Sequence, residues 1–266
     1  MGKIKLNFRL SFLILLLAFT YVSSFAKYVS PTDSDIRSVY TYSMLVLSML
    51  SVLYLILSIA YRGHVIYDTQ TIKLIEECQN KKFCKKCINY RPERAHHCSS
   101  CGHCIKKMDH HCFWINNCVN YDNQGHFIRF LLFSALANFV VFLSAAAKCV
   151  QILVYGISLE SKKDYYILIL CGMSSMVLTV ITSIFLYLQM RLAILNITFI
   201  EELKQNDLSR FQGISSSKSP YDRGVLGNLM DVLGPVRTLF LIGPFENGMI
   251  FPETSPRHPS FHEYYV

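Results

Sequence analysis

The sequence predicts an all-α membrane protein: four transmembrane helices, with a cysteine-rich, metal-stapled cytosolic domain between the second and third. Three observations lead there. Four long apolar runs stand out in a chain that is 52% hydrophobic and 17% charged. Seven of the ten cysteines lie between residues 84 and 118, in the gap between the second and third runs. The basic residues gather on one side of those runs.

The runs cover residues 10–26, 39–60, 130–155 and 165–190. Each is near or above the ~17–25 residues that cross a bilayer core. Polar interruptions are mainly Ser and Thr, with Asn138 and Lys148 in the third run. Buried helices of a soluble protein would be shorter and more amphipathic. The first run follows a basic start (Lys3, Lys5, Arg9), as a signal peptide would. It is long for such a segment and has no small-x-small cleavage site before Lys27, so it is expected to remain as a span. Leu6 stands where a myristoylation signal needs Ser or Thr.

Orientation follows the bias of Lys and Arg toward the cytosol. Residues 1–9 hold three Lys/Arg and no acids, and residues 61–129 hold eleven Lys/Arg against six Asp/Glu. The short loops 27–38 and 160–164 are balanced, two of each. Four spans then put residues 1–9, the 61–129 segment and the 191–266 tail in the cytosol. The net charge of +8 fits a domain lying against an anionic leaflet. No nucleic-acid partner is expected of a membrane-embedded chain. In the tail, 194–208 has helical periodicity, 213–220 reads as a Ser/Gly linker, and 225–245 carries apolar residues among Gly and Pro breaks.

The cytosol disfavours disulfides, so dense cysteines there read as metal ligands or nucleophiles. The run is Cys84-x2-Cys87-x8-His96-His97-Cys98-x2-Cys101-x-His103-Cys104-x4-Asp109-His110-His111-Cys112-x5-Cys118. Structural zinc takes four ligands, and a CxxC turn supplies two thiolates. Two zinc ions need eight ligands. Six cysteines and two histidines fill both sites with Cys112 set aside; seven cysteines and one histidine fill them with Cys112 included. Both sums close.

Chemistry favours the first, because a zinc-bound thiolate is a damped nucleophile and a free one is potent once a base takes its proton. His110 is near enough to be that base if the backbone bends, and Asp109 can hold its imidazole in one tautomer. The alternative is that Asp109 merely supports a zinc-bound histidine.

The run Asp109-His110-His111-Cys112, inside this cysteine-rich segment and between the second and third of four spans, resembles the DHHC-type protein S-acyltransferases (palmitoyltransferases). The likeness extends from Cys84 to Phe127 and takes in Trp114, Asn117, Cys118 and Asn123. Thr198-Phe199-Ile200-Glu201 and Tyr221-Asp222-x-Gly224-x3-Asn228 resemble the family's two later motifs. The resemblance implies a two-step exchange, in which a fatty acyl group passes from acyl-coenzyme A to Cys112 and then to a cysteine of a membrane-associated substrate protein. It implies Cys112 as nucleophile, His110 as its base and Asp109 as the group orienting that base. It implies one zinc on Cys84, Cys87, His97 and Cys104 and a second on Cys98, Cys101, His111 and Cys118. His96 and His103 are left over.

Two positions depart from the family pattern. Phe113 stands where many relatives have Pro, and Phe199 replaces the second Thr, whose hydroxyl helps anchor the catalytic Asp. A lowered rate is the expectation, with Thr198 as a substitute anchor. Small residues in the last two runs (Ser134, Ala135, Ala137, 144–147, Gly172, Ser174, Ser175) suit an acyl pocket, and equally suit close helix packing. Lys106, Lys107 and Arg129 can be set against coenzyme A phosphates or taken as solvated charge. Cys149 and Cys171 read as packing residues, Cys78 as a free surface thiol, and the Asn196-Ile197-Thr198 sequon as unused in the cytosol. The competing functional readings are a non-catalytic zinc-stapled membrane adaptor and a zinc-bearing ubiquitin ligase of RING type. The expected setting is the endoplasmic reticulum or Golgi. An accessory subunit is left open.

Overall fold

The computed structural model describes Leu17 and residues 34–77, 82–159, 161–212 and 219–234. The expected first span, 10–26, falls outside the described residues apart from Leu17, as do Cys78, the 213–218 linker and everything after Gly234. The described elements, in order, are α1 (Ser34–Ala60), α2 (Thr69–Glu77), β1 (Lys82–Cys84), β2 (Asn89–Arg91), β3 (His96–Cys98), β4 (His103–Ile105), β5 (His110–Cys112), β6 (Asn117–Val119), α3 (Gln124–Tyr155), α4 (Lys162–Leu195), α5 (Phe199–Gln212) and α6 (Gly224–Leu233). The contacts divide the chain into two compact units.

The first unit holds most of α1, α3 and α4. Among the described residues, these three helices are long and apolar enough to cross a membrane. That fits a multi-pass membrane protein. Leu45, Met49, Val52, Leu53 and Ile56 of α1 are exposed, as are Met173, Val177, Ile181 and Ile184 of α4. Such faces suit lipid better than water. The hydroxyls of Ser144, Ser175, Thr179 and Thr182 return to carbonyls of their own helices, which lets them sit in apolar surroundings. Tyr54 stacks on Phe133 with ring centroids 5.7 Å apart. Arg129, which the sequence reading left between phosphate contact and solvated charge, is buried with its guanidinium over the Tyr54 ring.

The second unit is a string of three hairpins with the helix ends around it. Each hairpin is an antiparallel pair: β1–β2, β3–β4 and β5–β6. With strands of three residues, the hairpins are too small to hold themselves together by packing. Two small cores lie between them. Val65, Ile75, Cys84, Ala95 and Cys104 form one; Cys98, Ile105, Met108 and Cys118 form the other.

Asparagines join these hairpins to the end of α1. Asn117 Nδ2 donates to the carbonyls of Ser58 and Tyr61, both at 3.0 Å, and Asn123 Nδ2 donates to the same two at 3.0 and 2.8 Å. They satisfy carbonyls that the helix terminus leaves without intrahelical partners. Gly63 follows at φ +61, where an added Cβ would lie 2.2 Å from Asn120 Oδ1. Only glycine fits that approach.

The periodic segment 194–208 is not one helix. α4 stops at Leu195, Asn196 takes a left-handed φ of 46, and α5 begins at Phe199. Thr198 and Glu201 explain the restart. The Thr198 hydroxyl accepts from the Glu201 N–H at 3.2 Å and the Glu201 carboxylate accepts from the Thr198 N–H at 2.8 Å, a reciprocal capping box.

Candidate active site and metal centres

Metal ligation follows from the register of the hairpins. His97 and Cys104 are cross-strand partners on β3–β4, and His111 and Cys118 are partners on β5–β6. Each pair points two ligand atoms the same way. The turn of the preceding hairpin supplies a CxxC to each: Cys84 and Cys87 meet His97 and Cys104, while Cys98 and Cys101 meet His111 and Cys118. The ligand atoms within each group of four lie within 4.8 Å of one another. A metal ion in each group would tie each hairpin to its neighbour.

The donor sets fit zinc on geometry as well as type. A tetrahedral ion with Zn–S of ~2.3 Å and Zn–N of ~2.0–2.1 Å separates its ligands by about 3.5–3.8 Å. The structure gives 3.6 and 3.3 Å from His97 Nδ1 to the Cys84 and Cys87 sulfurs, and 3.6 Å from Cys104 to Cys87. In the second group, His111 Nδ1 lies 3.5, 3.5 and 3.6 Å from Cys98, Cys101 and Cys118, and Cys101 lies 3.6 Å from Cys118. These are tetrahedral edges, far too long for disulfides. Two cysteine/histidine clusters that can bind two zinc ions are therefore present.

Cys112 belongs to neither cluster, and strand geometry shows why. Successive residues of a strand point to opposite faces. On β5, His111 faces the metal ligands, so His110 and Cys112 face the other way together. No bend is needed to bring them together; alternation does it. Cys112 is buried, and His110 hydrogen-bonds it. On its other side, His110 Nδ1 donates to Asp109 Oδ2 at 2.7 Å. Burial alone would lower the His110 pKa, but the hydrogen bond to Asp109, the bond to Cys112 and the charges of both push it up to about 9.

Asp109 is 1% exposed and its carboxylate is fully engaged. Oδ1 accepts from the backbone N–H of Phe199 at 2.6 Å, and Oδ2 accepts from Gln189 Nε2 at 2.9 Å as well as from His110. Burial pushes its carboxyl up, yet these hydrogen bonds prevail and hold it below the usual range. The Phe199 N–H belongs to the first turn of α5, where unpaired donors and the helix dipole both favour an anion. The anchoring that a Thr hydroxyl would give is thus supplied by main chain and by Gln189. Thr198 does not substitute: its hydroxyl is taken by the cap.

A second buried ion pair fixes that helix start. Arg94 Nε and Nη2 donate to the two Glu201 oxygens, each at 2.8 Å. Arg94 also reaches Asn196 Oδ1 and its carbonyl, both at 3.0 Å, and lies over the Tyr221 ring. The Tyr221-to-Asn228 motif closes the same knot. Asn228 Nδ2 donates to the Ile194 carbonyl at 2.8 Å, and Asn196 Nδ2 donates to the Tyr221 carbonyl at 2.8 Å. Asn196 is buried in this network.

Among the remaining candidates, Lys106 pairs with Asp122 at 2.8 Å. Lys107 is buried, not solvated, and burial with Arg94 nearby pushes its pKa down to about 7. His96 lies 3.1 Å from Arg91, and His103 stacks on His64. Gln189, the Phe199 N–H and the Arg94–Asn196 network escaped the sequence reading. The one signal for Gln189 was an amide in the last turns of an otherwise apolar run.

Comparison with known proteins names the domain. The family model for the DHHC palmitoyltransferase matches residues 77–206, which hold both clusters, the 109–112 run and the α5 cap. Over those residues the chain carries a DHHC palmitoyltransferase domain. Its similar relatives include palmitoyltransferase ZDHHC20 of Homo sapiens, 38% identical over 133 residues, covering 50% of this chain and 34% of the relative. Palmitoyltransferase ZDHHC3 of Homo sapiens is 49% identical over 55 residues, covering 21% and 18%. Palmitoyltransferase ZDHHC15 of Xenopus laevis is 32% identical over 175 residues, covering 64% and 50%. The chain spans half or less of the length of these relatives.

Proposed function

We propose that this DHHC protein is a protein S-acyltransferase that carries a long-chain acyl group on Cys112. One observation supports the reading above others: Cys112 lies outside both four-ligand groups, on the strand face it shares with His110, whose imidazole bonds Asp109 at 2.7 Å.

Asp109, bonded to His110 at 2.7 Å, helps raise the imidazole pKa to about 9, so His110 is a competent base for the thiol proton of Cys112 and Asp109 balances the resulting charge. The Cys112 sulfur adds to the thioester carbonyl of acyl-coenzyme A. The adduct collapses, the coenzyme thiolate leaves, and His110 returns the proton to it. The thiol of a substrate protein then gives its proton to His110, attacks the Cys112 thioester and takes the acyl group. Cys112 departs as the thiolate beside protonated His110. Protons and bonds balance over the two steps, and Asp109 keeps one imidazole tautomer throughout.

Zinc on Cys84, Cys87, His97 and Cys104, and on Cys98, Cys101, His111 and Cys118, supplies folding energy to the hairpins and no step of the exchange. Binding of the acyl chain, about fourteen methylenes at ~0.8 kcal/mol each, falls to apolar surface in the membrane-spanning part. The substrates are membrane-associated proteins with cytosolic cysteines. The setting is the endoplasmic reticulum or Golgi, with the site on the cytosolic side and the 10–26 run as a further span. The adaptor reading loses its motive, because Asp109 is held without the missing hydroxyl.

Two-substrate kinetics test the proposal. Purified protein, palmitoyl-coenzyme A and a lipid-anchored cysteine peptide should give parallel double-reciprocal lines, the pattern of a covalent intermediate. Intersecting lines with undiminished transfer by Cys112→Ser would overturn it.

A further inference from the structure

The first two hairpins make the same turn with different residues. In β3–β4, Cys98-x2-Cys101 is followed by Gly102 at φ +74; in β1–β2, Cys84-x2-Cys87 is followed by Ile88 at φ +52. A left-handed φ is at home with glycine and a strain for a β-branched side chain. Among the described residues nothing covers Ile88, whose side chain is 80% exposed. It is not alone. Phe83 and Tyr90 are cross-strand partners on the hairpin face opposite Cys84, 52% and 48% exposed, with rings edge-on at 5.3 Å. The ten residues 82–91 carry four cations (Lys82, Lys85, Lys86, Arg91) and no acid. The Lys85 and Lys86 side chains are exposed beside the tip.

We propose that the β1–β2 hairpin inserts its Ile88 tip and Phe83–Tyr90 face into the headgroup region of an anionic phospholipid leaflet. Three arguments choose this occupant. The apolar surface is the exposed tip and one face of a hairpin and not a groove of the kind that holds peptide side chains. Aromatic and aliphatic side chains flanked by lysines are the composition that partitions into an anionic membrane interface. The same chain carries three helices able to cross a membrane, so a lipid surface is present at high effective concentration. The contact is independent of the acyl-transfer reading, since it uses none of the groups around Cys112.

The test uses the full chain in nanodiscs of phosphatidylcholine alone, or of phosphatidylcholine with phosphatidylserine, followed by amide hydrogen exchange. The 85–90 amides should exchange on the order of tenfold more slowly with the anionic lipid. That protection should fade near 0.5 M salt, where screening shortens the reach of charge to a few ångströms (about 4 Å). Ile88→Gly is the informative variant because glycine relaxes the turn, as Gly102 does in the next hairpin. It should keep two zinc ions per chain and lose the protection, and Lys85→Gln with Lys86→Gln should lose its dependence on lipid charge. Equal exchange in the two lipids, or unchanged protection in Ile88→Gly, would overturn the proposal. So would protection that appears in neutral lipid only on adding an acidic peptide, which would make the hairpin a protein-docking site.

Discussion

His110 and His111 are neighbours of one type that β5 turns to opposite faces, and the proposed tasks, base and zinc ligand, differ accordingly. His111→Ala should lose about one zinc per chain and lower thermal stability, since ligand loss is loss of folding energy. His110→Ala should keep both zincs and lose on the order of 10²-fold or more in acyl loading near neutral pH. Metal analysis beside a loading assay separates them. The His110 pKa has its own consequence for stability. It is raised to about 9 from an ordinary ~6.5, so the protonated imidazole contributes stability that is fully present below ~6.5 and lost as pH rises through about 9. The melting temperature of the parent should therefore exceed that of His110→Gln at pH 6.5 by more than at pH 9. Metal analysis at both pH values separates this effect from any loss of zinc. A gap that stays constant with pH would refute the assignment. Phe199 gives a test by backbone alone. Phe199→Ala keeps the N–H bound to Asp109 and should load acyl groups within about threefold of the parent, as expected for a replacement away from the bond concerned. Phe199→Pro removes that N–H at a helix position where proline is well tolerated, and loading should fall by about tenfold or more, the loss of a hydrogen bond to a charged group.

At the scale of elements, the Thr198–Glu201 cap and the Arg94–Glu201 pair set where α5 begins, and so where the Phe199 N–H points. Glu201→Gln can still close the capping box but leaves the guanidinium of Arg94, whose side chain is 1% exposed, without its counter-charge. A loss of about 3–5 kcal/mol is expected, measurable as a drop in melting temperature with both zincs retained. The contrast between what the sequence discloses and what it hides is visible in this region. Cys84-x2-Cys87 and Cys98-x2-Cys101 are legible because a CxxC turn is complete within four residues, and the 109–112 run because its four contiguous residues resemble a family motif; the strand alternation that puts His110 and Cys112 on one face is not legible there, since three-residue strands leave no periodicity to read. Arg94 meets Glu201, and Gln189 meets Asp109, across separations of 107 and 80 residues. No periodicity records such a meeting. The helix break at Asn196 was hidden for a related reason: apolar spacing continues through 194–208, and only the folded contacts of Asn196 with Arg94 and Tyr221 hold it in the left-handed conformation that ends α4.

For the whole molecule, the proposed function places the lipid-facing helices in the first unit and the chemistry in the second. Long apolar helices were legible from length and hydropathy, because a membrane imposes one coarse requirement on every residue of a span. The compact second unit has strands of three residues and, among the described residues, two small cores, so zinc in its two clusters would carry much of its stability. Removing zinc with a strong chelator should unfold the hairpins while the helical content of α1, α3 and α4 persists, which circular dichroism with metal analysis can follow. The central claim is that both metal groups are complete without Cys112, which is left free to carry the acyl group. Native mass spectrometry of the purified chain after exposure to palmitoyl-coenzyme A tests it most directly. The account predicts one palmitoyl adduct per chain, mapped to Cys112, released by hydroxylamine, and present on molecules that hold two zinc ions. An adduct on another cysteine, or zinc lost in proportion to Cys112 acylation, would contradict it.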